Sequence, residues 1–180
     1  RVGIELEGGW PSTSGYAKEV QHDGSVFKQP GGHKPPIPGL VIGEIPSPPL
    51  YPVEIPTWIK KNYPSHLDET CGLHVHMSFN SIHHYSLLMD SQMYQEIIFK
   101  ELEDWGIKMG LGKPHPLWKR LTGKNKYCKR EFWPDLQASV FQKDHDQNRV
   151  GNRYTAINYC YGTRQTVECR LLPMMETPEL

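Results

Sequence analysis

The feature that most constrains the fold of this chain is the alternation of residue types in CGLHVHMSF, residues 71–79. Residues two apart in a β-strand project from the same face, whereas direct neighbours project from opposite faces. His74 and His76 therefore share one face of the predicted strand. The opposite face carries the apolar side chains Leu73, Val75 and Met77. The segment predicts a sheet with an apolar face and a face on which two imidazoles lie side by side.

Two further segments repeat this design. VGIELE carries Glu5 and Glu7 on one face, and TVECRLL carries Glu168 and Arg170 on one face. A solvated sheet face could hold such residues, but glutamate, histidine and arginine together are typical of divalent-metal and phosphate sites. If the three strands are neighbours, their glutamates repel one another unless cations lie between them. The pattern therefore predicts a metal site on a shared sheet face.

Composition argues against several classes of protein. A length of 180 residues is enough for one domain with a core of its own. The 20 basic and 20 acidic side chains balance, which argues against a nucleic-acid-binding protein or a polybasic membrane binder. No apolar run approaches the roughly 20 residues that span a bilayer. We therefore expect one domain over residues 1–180, without a nucleic-acid or membrane partner.

The first residue and the cysteines bear on completeness and location. The chain begins at Arg1 rather than at a methionine, so our expectation allows for residues missing from either end. No basic start followed by an apolar stretch marks a secretory signal. The four cysteines lack CxxC spacing, which fits a reduced cytoplasmic protein better than a disulfide scaffold or a zinc ribbon. We therefore predict a cytoplasmic location.

The first half of the chain is predicted to be largely irregular outside its strands. After VGIELE, a loop rich in glycine and proline is expected from Gly8 to Pro56, because prolines interrupt regular elements. This loop contains the short apolar stretch LVIGEI at 40–45. A short helix is predicted to begin near Thr57, a good N-cap, and to end before Pro64.

The second half is predicted to hold one long helix and one hairpin. Residues 91–108 have apolar side chains at helical spacing, and Gly110 is the expected stop. The apolar side chains of this helix are Met93, Ile97, Ile98, Leu102 and Trp105. A strand at 153–161 is predicted to turn at Gly162 and to return as 165–172.

The segment that follows the long helix is basic. Residues 108–130 hold eight Lys or Arg side chains and no Asp or Glu. Two interpretations stay open, a solvated loop or a segment that contacts phosphates or an acidic substrate. TGKNK within this segment is not a P-loop, because the spaced first glycine and the Gly-Lys-Ser/Thr ending are missing.

These elements together predict an α+β fold. We expect a twisted, mainly antiparallel sheet that curves around a polar, concave, metal-binding face. Helices are expected to pack on the apolar face of this sheet, since each predicted strand has one apolar side.

The order of the motifs along the chain resembles one protein family. The motifs are GIELE, HDGS, GEIPSP, CGLHVHMSF, RYTAIN and TVECR, in that order. Together they resemble the amidoligase family, which belongs to the carboxylate–amine ligase superfamily with glutamine synthetase and glutamate–cysteine ligase. GLHVHMS in particular is similar to the histidine motif of glutamine synthetase. The resemblance implies a fold like the catalytic domain of glutamine synthetase.

The resemblance also implies two cation sites. The site nearer the nucleotide would have as ligands Glu5, His74 and Glu168. The site nearer the acceptor carboxylate would have as ligands Glu7, Glu44 and Asp23. Carboxylate oxygens suit Mg²⁺, and the histidine ligand leaves Mn²⁺ as an alternative.

Further roles follow from the same resemblance. His76 and Arg170 would contact the phosphates of ATP, and Arg153 would be a further phosphate-binding or catalytic residue. The implied reaction transfers the γ-phosphoryl group of ATP to a carboxylate, and an amine then attacks the acyl phosphate. Asp23 would help to deprotonate that amine. The expected partners are ATP and a small-molecule or peptide carboxylate and amine, in a monomer or an oligomer.

Two other functions fit the same residues. The histidine and glutamate set could belong to a metal-dependent hydrolase built on a sheet. It could also belong to a metal-binding domain without catalytic activity. A ligase requires a nucleotide for turnover, whereas a hydrolase does not, so nucleotide dependence discriminates between the two enzymes.

Overall fold

The computed structural model describes residues 1–29, 32–33, 37–81, 92–130, 154–160 and 166–176. Its helices are α1 (Ile55–Asn62), α2 (Gln92–Lys108) and α3 (Trp118–Leu121). Its strands are β1 (Val2–Pro11), β2 (Lys28–Gln29), β3 (Gly32–His33), β4 (Leu40–Pro46), β5 (Gly72–Met77), β6 (Lys124–Asn125), β7 (Cys128–Lys129), β8 (Ile157–Cys160) and β9 (Thr166–Pro173).

Five strands form one mainly antiparallel sheet in the order β4-β1-β5-β9-β8. Strand β1 pairs antiparallel with β4, and β8 pairs antiparallel with β9. The three alternating segments of the sequence are therefore adjacent strands, β1, β5 and β9. The predicted α+β class with a mainly antiparallel sheet is confirmed. The likeness to the catalytic domain of glutamine synthetase stays a prediction.

The chain divides into two compact units. The N-terminal unit comprises Val2–His74 and Pro173–Leu180. The C-terminal unit comprises Arg1 and Val75–Leu172. Strand β5 passes from the first unit into the second, so that His74 belongs to the N-terminal unit and His76 to the C-terminal unit.

The N-terminal unit is built on the long pairing of β1 with β4. The buried apolar side chains of this unit include Ile4, Leu6, Trp10, Val26, Phe27, Ile45 and Leu50. Strand β1 does not end at residue 7 as predicted but continues to Pro11. At Gly8 the strand passes close to the ring of Pro64. A Cβ atom at position 8 would collide with that ring, so this approach requires glycine. The indole N–H of Trp10 then donates to the carbonyl of Asn62 at 3.0 Å.

The sequence prediction of one long loop from Gly8 to Pro56 is wrong at its two ends and also in its interior. The stretch at 40–45 is strand β4, whose residues pair with β1 from Leu40 to Pro46. The prolines that suggested an irregular chain lie at the end of this strand and beyond it. At the end of a strand, a proline costs no central ladder hydrogen bond.

Helix α1 begins two residues before the predicted start. A short 3-10 helix, Pro52–Glu54, leads into it, so that Glu54 rather than Thr57 precedes the first helical residue. Pro56 is tolerated in the first turn, where its missing N–H has no partner within the helix. The predicted end before Pro64 is confirmed, because the helix stops at Asn62.

The core of the C-terminal unit brings the paired strands β8 and β9 against α2. Its buried members are Phe99, Cys128, Ala156, Ile157, Val167, Cys169 and Leu171. Half-buried Val75 of β5 and Leu102 of α2 pack against this cluster. The three members from β9 alternate along the strand and therefore share a face. Helix α2 thus packs on the apolar face of this part of the sheet, as the sequence predicted.

Helix α2 agrees with the prediction in extent but not in its buried face. Met93 and Ile97 are 62% and 50% exposed, whereas Gln95 and Phe99 are buried. The predicted stop is confirmed, since Gly110 has a φ of 76°. The N–H of Leu111 donates to the carbonyl of Gly106 at 2.8 Å, which closes the helix end.

The basic segment 108–130 is partly structural. Arg120, on α3, is 2% exposed, and its Nε donates to the carbonyl of Arg170 at 3.1 Å. Arg130 forms ion pairs with Glu96 and Glu103 of α2. These two arginines therefore bind groups within the C-terminal unit. Within the described residues, no helix combines the length and the apolar character needed to cross a membrane.

Candidate functional site

A pair of glutamates faces each other across β1 and β4. Glu7 of β1 lies directly opposite Glu44 of β4 in the antiparallel register. Glu7 is buried at 1% exposure, and Glu44 is half-buried. Opposed like charges on neighbouring strands destabilise a sheet. A positively charged group beside both carboxylates would remove this cost.

A third carboxylate, that of Asp23, joins this pair through a close crossing of the chain. The N–H of Gln21 donates to the carbonyl of Glu44 at 2.8 Å, and the N–H of Glu44 donates to the carbonyl of Gln21 at 2.9 Å. A Cβ atom at position 43 would collide with that carbonyl of Gln21, so the crossing requires Gly43. Each of Glu7, Asp23 and Glu44 offers a carboxylate oxygen, and these oxygens lie within 4.8 Å of one another.

The donor set of this carboxylate cluster (Glu7, Asp23 and Glu44) fits a hard divalent cation. Two oxygens on opposite sides of one Mg²⁺ or Ca²⁺ ion are about 4 to 5 Å apart, twice the metal–oxygen bond length. The oxygens of the cluster lie within 4.8 Å of one another, which meets this requirement. Oxygen-only donors favour Mg²⁺, Mn²⁺ or Ca²⁺ over softer metals.

The position of Glu7 is fixed from the start of β5. The N–H of Gly72 donates to Glu7 Oε2 at 2.5 Å. His74 lies between two carboxylates, with its Nε2 3.5 Å from Glu7 Oε1 and its Nδ1 3.3 Å from Glu5 Oε2. All three side chains are buried. His74 therefore links Glu5 to the carboxylate cluster within the N-terminal unit.

The C-terminal unit holds a second polar group around Glu168. Arg170 Nη1 donates to Glu168 Oε1 at 2.6 Å, and Asn158 Nδ2 donates to Glu168 Oε2 at 3.3 Å. Asn158 reaches this carboxylate because it lies opposite Glu168 in the β8–β9 register. Arg170 Nε also donates to the carbonyl of Tyr127 at 3.2 Å. Glu168 and Arg170 thus form a buried ion pair with its own charge balance.

His76 belongs to this second group. Its Nδ1 lies 3.0 Å from the hydroxyl of Thr166, and its Nε2 lies 3.9 Å from Glu168 Oε1. The Thr166 hydroxyl therefore orients the imidazole, and Nε2 faces the Glu168 carboxylate. We name the set of His76, Asn158, Glu168 and Arg170 the arginine cluster.

The structure brings together some of the residues predicted to act together. Glu7, Asp23 and Glu44 converge, and Glu5 contacts His74. Glu168 lies in the other unit, where it contacts His76 and Arg170. The grouping of Glu168 with Glu5 and His74 around one cation stays a prediction. Arg153 lies outside the described residues, and its predicted role stays untested.

Sequence reasoning missed several residues that hold these side chains. Gly43 and the backbone N–H of Gly72 position the carboxylate cluster, and Thr166 orients His76. The motif GEIPSP contains Gly43, whose lack of a Cβ atom lets Gln21 approach. This role could be recognised only in the tertiary structure. Thr166 precedes Glu168 by two residues on β9, so strand alternation could have placed it on the polar face.

The buried thiols have a different character from the polar clusters. Burial raises the pKa of Cys71 and of Cys169, and it raises the pKa of Cys128 to about 12. Because the thiolate is the nucleophilic form, these cysteines are inert thiols at neutral pH. Among the described cysteine side chains, a nucleophilic thiol mechanism has no candidate.

Comparisons with known proteins were made at three levels. No protein-family model matches the chain, no curated protein matches its sequence, and no solved structure matches its fold. The function is therefore inferred from the residues of this chain and from their resemblance to the amidoligase motifs.

Proposed function

We propose that this protein is an ATP-dependent carboxylate–amine ligase, which forms an amide bond and releases ADP. The observation that carries the proposal is the convergence of Glu7, Asp23 and Glu44 from three separate segments of the chain. These positions fall in the motifs GIELE, HDGS and GEIPSP, whose order resembles that of the amidoligases. The convergence is independent support, because the motif order alone says nothing about distances.

In this proposal the carboxylate cluster holds one Mg²⁺ or Mn²⁺ ion. A cation there would neutralise the mutual repulsion of Glu7 and Glu44 and would offset charge on a phosphoryl oxygen. Glu7 is held by the Gly72 amide, so the cluster is preorganised on its β1 side. Asp23 has the further proposed role of accepting a proton from the attacking amine.

The arginine cluster has the phosphate-binding role in the proposal. The guanidinium of Arg170 and the imidazole of His76 would contact ATP phosphates, and Glu168 keeps its predicted role as a ligand of the second cation with Glu5 and His74. Arg170 is held on two sides, by Glu168 and by the carbonyl of Tyr127. A guanidinium fixed in this way costs little reorganisation when charge develops on a phosphoryl group.

The substrates and the location complete the proposal. We propose a small-molecule or peptide carboxylate and an amine as substrates, and the cytoplasm as the location. The described free cysteines, all of them buried, are compatible with a reducing compartment.

Hydroxylamine trapping tests this function. The purified protein is incubated with Mg·ATP, hydroxylamine and a panel of carboxylates, and hydroxamate and ADP are measured together. An acyl-phosphate enzyme yields both in equal amounts. Glu7→Gln should lower the rate about a hundredfold or more, since a catalytic metal supplies several kcal/mol and 1.36 kcal/mol is tenfold. Glu19→Gln, an exposed carboxylate of the same unit, is the matched control.

Other outcomes identify the alternatives. Cleavage of a substrate at full rate without nucleotide would favour the metal-dependent hydrolase. Metal binding that depends on Glu7 but is accompanied by neither hydroxamate nor cleavage would favour a non-catalytic metal-binding domain.

A further inference from the structure

One buried hydroxyl joins the two turns that support the carboxylate cluster. Thr70 is 6% exposed. Its Oγ1 accepts the N–H of Phe27 at 2.7 Å and donates to Asp68 Oδ1 at 2.5 Å. The partners Phe27 and Thr70 are 43 residues apart in the chain. The hydroxyl therefore ties together two distant loops of the N-terminal unit.

The first of these turns carries Asp23. Both the N–H and the hydroxyl of Ser25 donate to Asp23 Oδ1, each at 2.7 Å. The N–H of Val26 lies 3.4 Å from the carbonyl of Asp23. These bonds fix the carboxylate relative to its own turn, but they do not fix the turn relative to Glu7. The Gln21–Glu44 bonds anchor the start of the turn to β4, and the bond from Phe27 to Thr70 anchors its end to another loop.

The second turn carries the amide that holds Glu7. Asp68 Oδ1 accepts the N–H of Thr70 at 2.9 Å as well as its hydroxyl. Two residues later, the N–H of Gly72 donates to Glu7 Oε2 at 2.5 Å. A displacement of this turn would therefore move the hydrogen-bond donor of Glu7.

Phe27 has a backbone conformation that needs external support. Its φ is 56°, in the left-handed region, and its side chain is only 5% exposed. A bulky residue in this region is strained, and such a conformation persists only where surrounding contacts hold it. The hydrogen bond to Thr70 acts on the strained residue itself.

We propose that Thr70 is a positioning residue that sets the spacing of Asp23 relative to Glu7, and thereby the affinity and size selectivity for the bound cation. This inference rests on the proposed metal site. Mg²⁺ requires nearly ideal octahedral geometry at short distances, whereas Ca²⁺ tolerates longer and more variable ligand distances. Loosening the Thr70 link should therefore weaken Mg²⁺ binding more than Ca²⁺ binding.

The test compares Thr70→Val, which keeps the shape but lacks the hydroxyl, with Thr70→Ser, which keeps the hydroxyl. Mn²⁺ affinity is measured by electron paramagnetic resonance, and Mg²⁺ and Ca²⁺ affinities by competition, at a temperature where each variant is folded. Thr70→Val should lose about tenfold or more in Mn²⁺ affinity, the effect typical of groups that orient metal ligands. The Mg²⁺ affinity of Thr70→Val should fall more than its Ca²⁺ affinity. Thr70→Ser, which keeps the hydroxyl, should bind Mg²⁺ and Ca²⁺ like the wild type.

Glu44→Gln separates failure of this inference from failure of the metal site. If Glu44→Gln abolishes Mn²⁺ binding and Thr70→Val binds all three ions like the wild type, Thr70 is not a positioning residue and the metal site stands. If the wild type binds no Mn²⁺, both are overturned. Should Thr70→Val not fold, Asp68→Asn replaces it, because it leaves Thr70 in place but weakens its acceptor. A reduced Mg²⁺ affinity relative to Ca²⁺ supports the inference, and unchanged affinities overturn it.

Discussion

The two polar clusters of this protein differ in how their charges are balanced. In the C-terminal unit, Glu168 Oε1 lies 2.6 Å from Arg170 Nη1, so the carboxylate has a positive counter-charge two residues along the same strand. In the N-terminal unit, Glu7, Asp23 and Glu44 approach one another, and the imidazole of His74 lies beside Glu7. One cluster places an arginine beside its carboxylate, whereas the other brings oxygens of three carboxylates within 4.8 Å of one another, as a cation-binding site does.

Because of this difference, acidic residues that look alike in the sequence contribute differently in the two clusters. A buried glutamate beside an arginine contributes to a network whose loss is felt by the fold. Glutamates and an aspartate that face one another contribute a binding site whose formation costs stability until a cation arrives. Substitutions in the two clusters should therefore act on different measurable quantities.

The largest expected effect concerns the arginine cluster. Arg170→Ala removes the guanidinium that lies 2.6 Å from the carboxylate of Glu168, which is 1% exposed. Removing one partner of a buried pair costs about 3–5 kcal/mol of unfolding free energy. We therefore expect a large shift of the urea unfolding midpoint, with or without divalent cations. The measurement is urea unfolding of the wild type and of Arg170→Ala.

The matched comparison replaces both partners by apolar residues. The double variant Glu168→Leu with Arg170→Met leaves no uncompensated charge and should be more stable than Arg170→Ala, since apolar replacement of a whole buried pair is often neutral. Equal midpoints for the wild type and Arg170→Ala would show that the ion pair does not hold the fold, and would remove the contrast between the clusters.

The second effect concerns the carboxylate cluster and is of intermediate size. Mn²⁺ at a hundredfold excess over its dissociation constant should stabilise the folded state by about 2.7 kcal/mol, because it binds the folded state alone. Glu44→Gln should lose this stabilisation. In the absence of metal, the same variant should unfold at a higher temperature than the wild type, because it removes one of three clustered negative charges. Calorimetry with and without Mn²⁺ measures both the lost stabilisation by the metal and the raised melting temperature of the metal-free variant.

Glu19→Gln is the control for this second prediction, because it removes an exposed carboxylate of the same unit. It should follow the wild type with and without Mn²⁺. A metal-free Glu44→Gln that melts below the wild type, together with an unchanged response to Mn²⁺, would contradict the assignment of the carboxylate cluster as a cation site.

The sequence pattern predicted which charged side chains share a strand face better than it predicted their surroundings. Strand alternation is local, so the shared face of Glu5 and Glu7 and that of Glu168 and Arg170 could be read directly. The approach of Asp23 to Glu44 is not local. It requires Gly43 to admit Gln21, and no spacing rule reports such a crossing.

Burial was the least predictable property. The apolar face of β5 was expected to be the packed one, yet His74 and His76 are buried while Val75 is half-buried. A sequence period tells which residues share a face but not what covers that face. The left-handed conformation of Phe27 was equally out of reach, because its residue type argues against it and its support includes the tertiary contact to Thr70.

The smallest expected effect separates the fold of the N-terminal unit from its carboxylate cluster. The hydroxyl of Tyr63 donates to the carbonyl of Met175, and burial raises the pKa of Tyr63 from 10.0 to about 12. Because the folded pKa lies above the unfolded value, the neutral tyrosine stabilises the fold fully below about pH 10, and this contribution is lost as the pH rises towards 12.

Tyr63 lies outside the carboxylate cluster, so a change in alkaline stability that depends on Tyr63 reports the fold and not that cluster. Urea midpoints of metal-free protein at pH 8 and pH 11 should fall less in Tyr63→Phe than in the wild type. Cys71, whose pKa burial also raises, causes a loss of the same sign above about pH 9 in both proteins, so the difference between them isolates Tyr63. At pH 8, Tyr63→Phe should be slightly less stable, because the Met175 carbonyl loses its donor. An identical fall of the urea midpoint in both proteins would show that Tyr63 has the same pKa in the folded and unfolded chains. The neutral Tyr63 side chain would then make no pH-dependent contribution to the stability of the N-terminal unit.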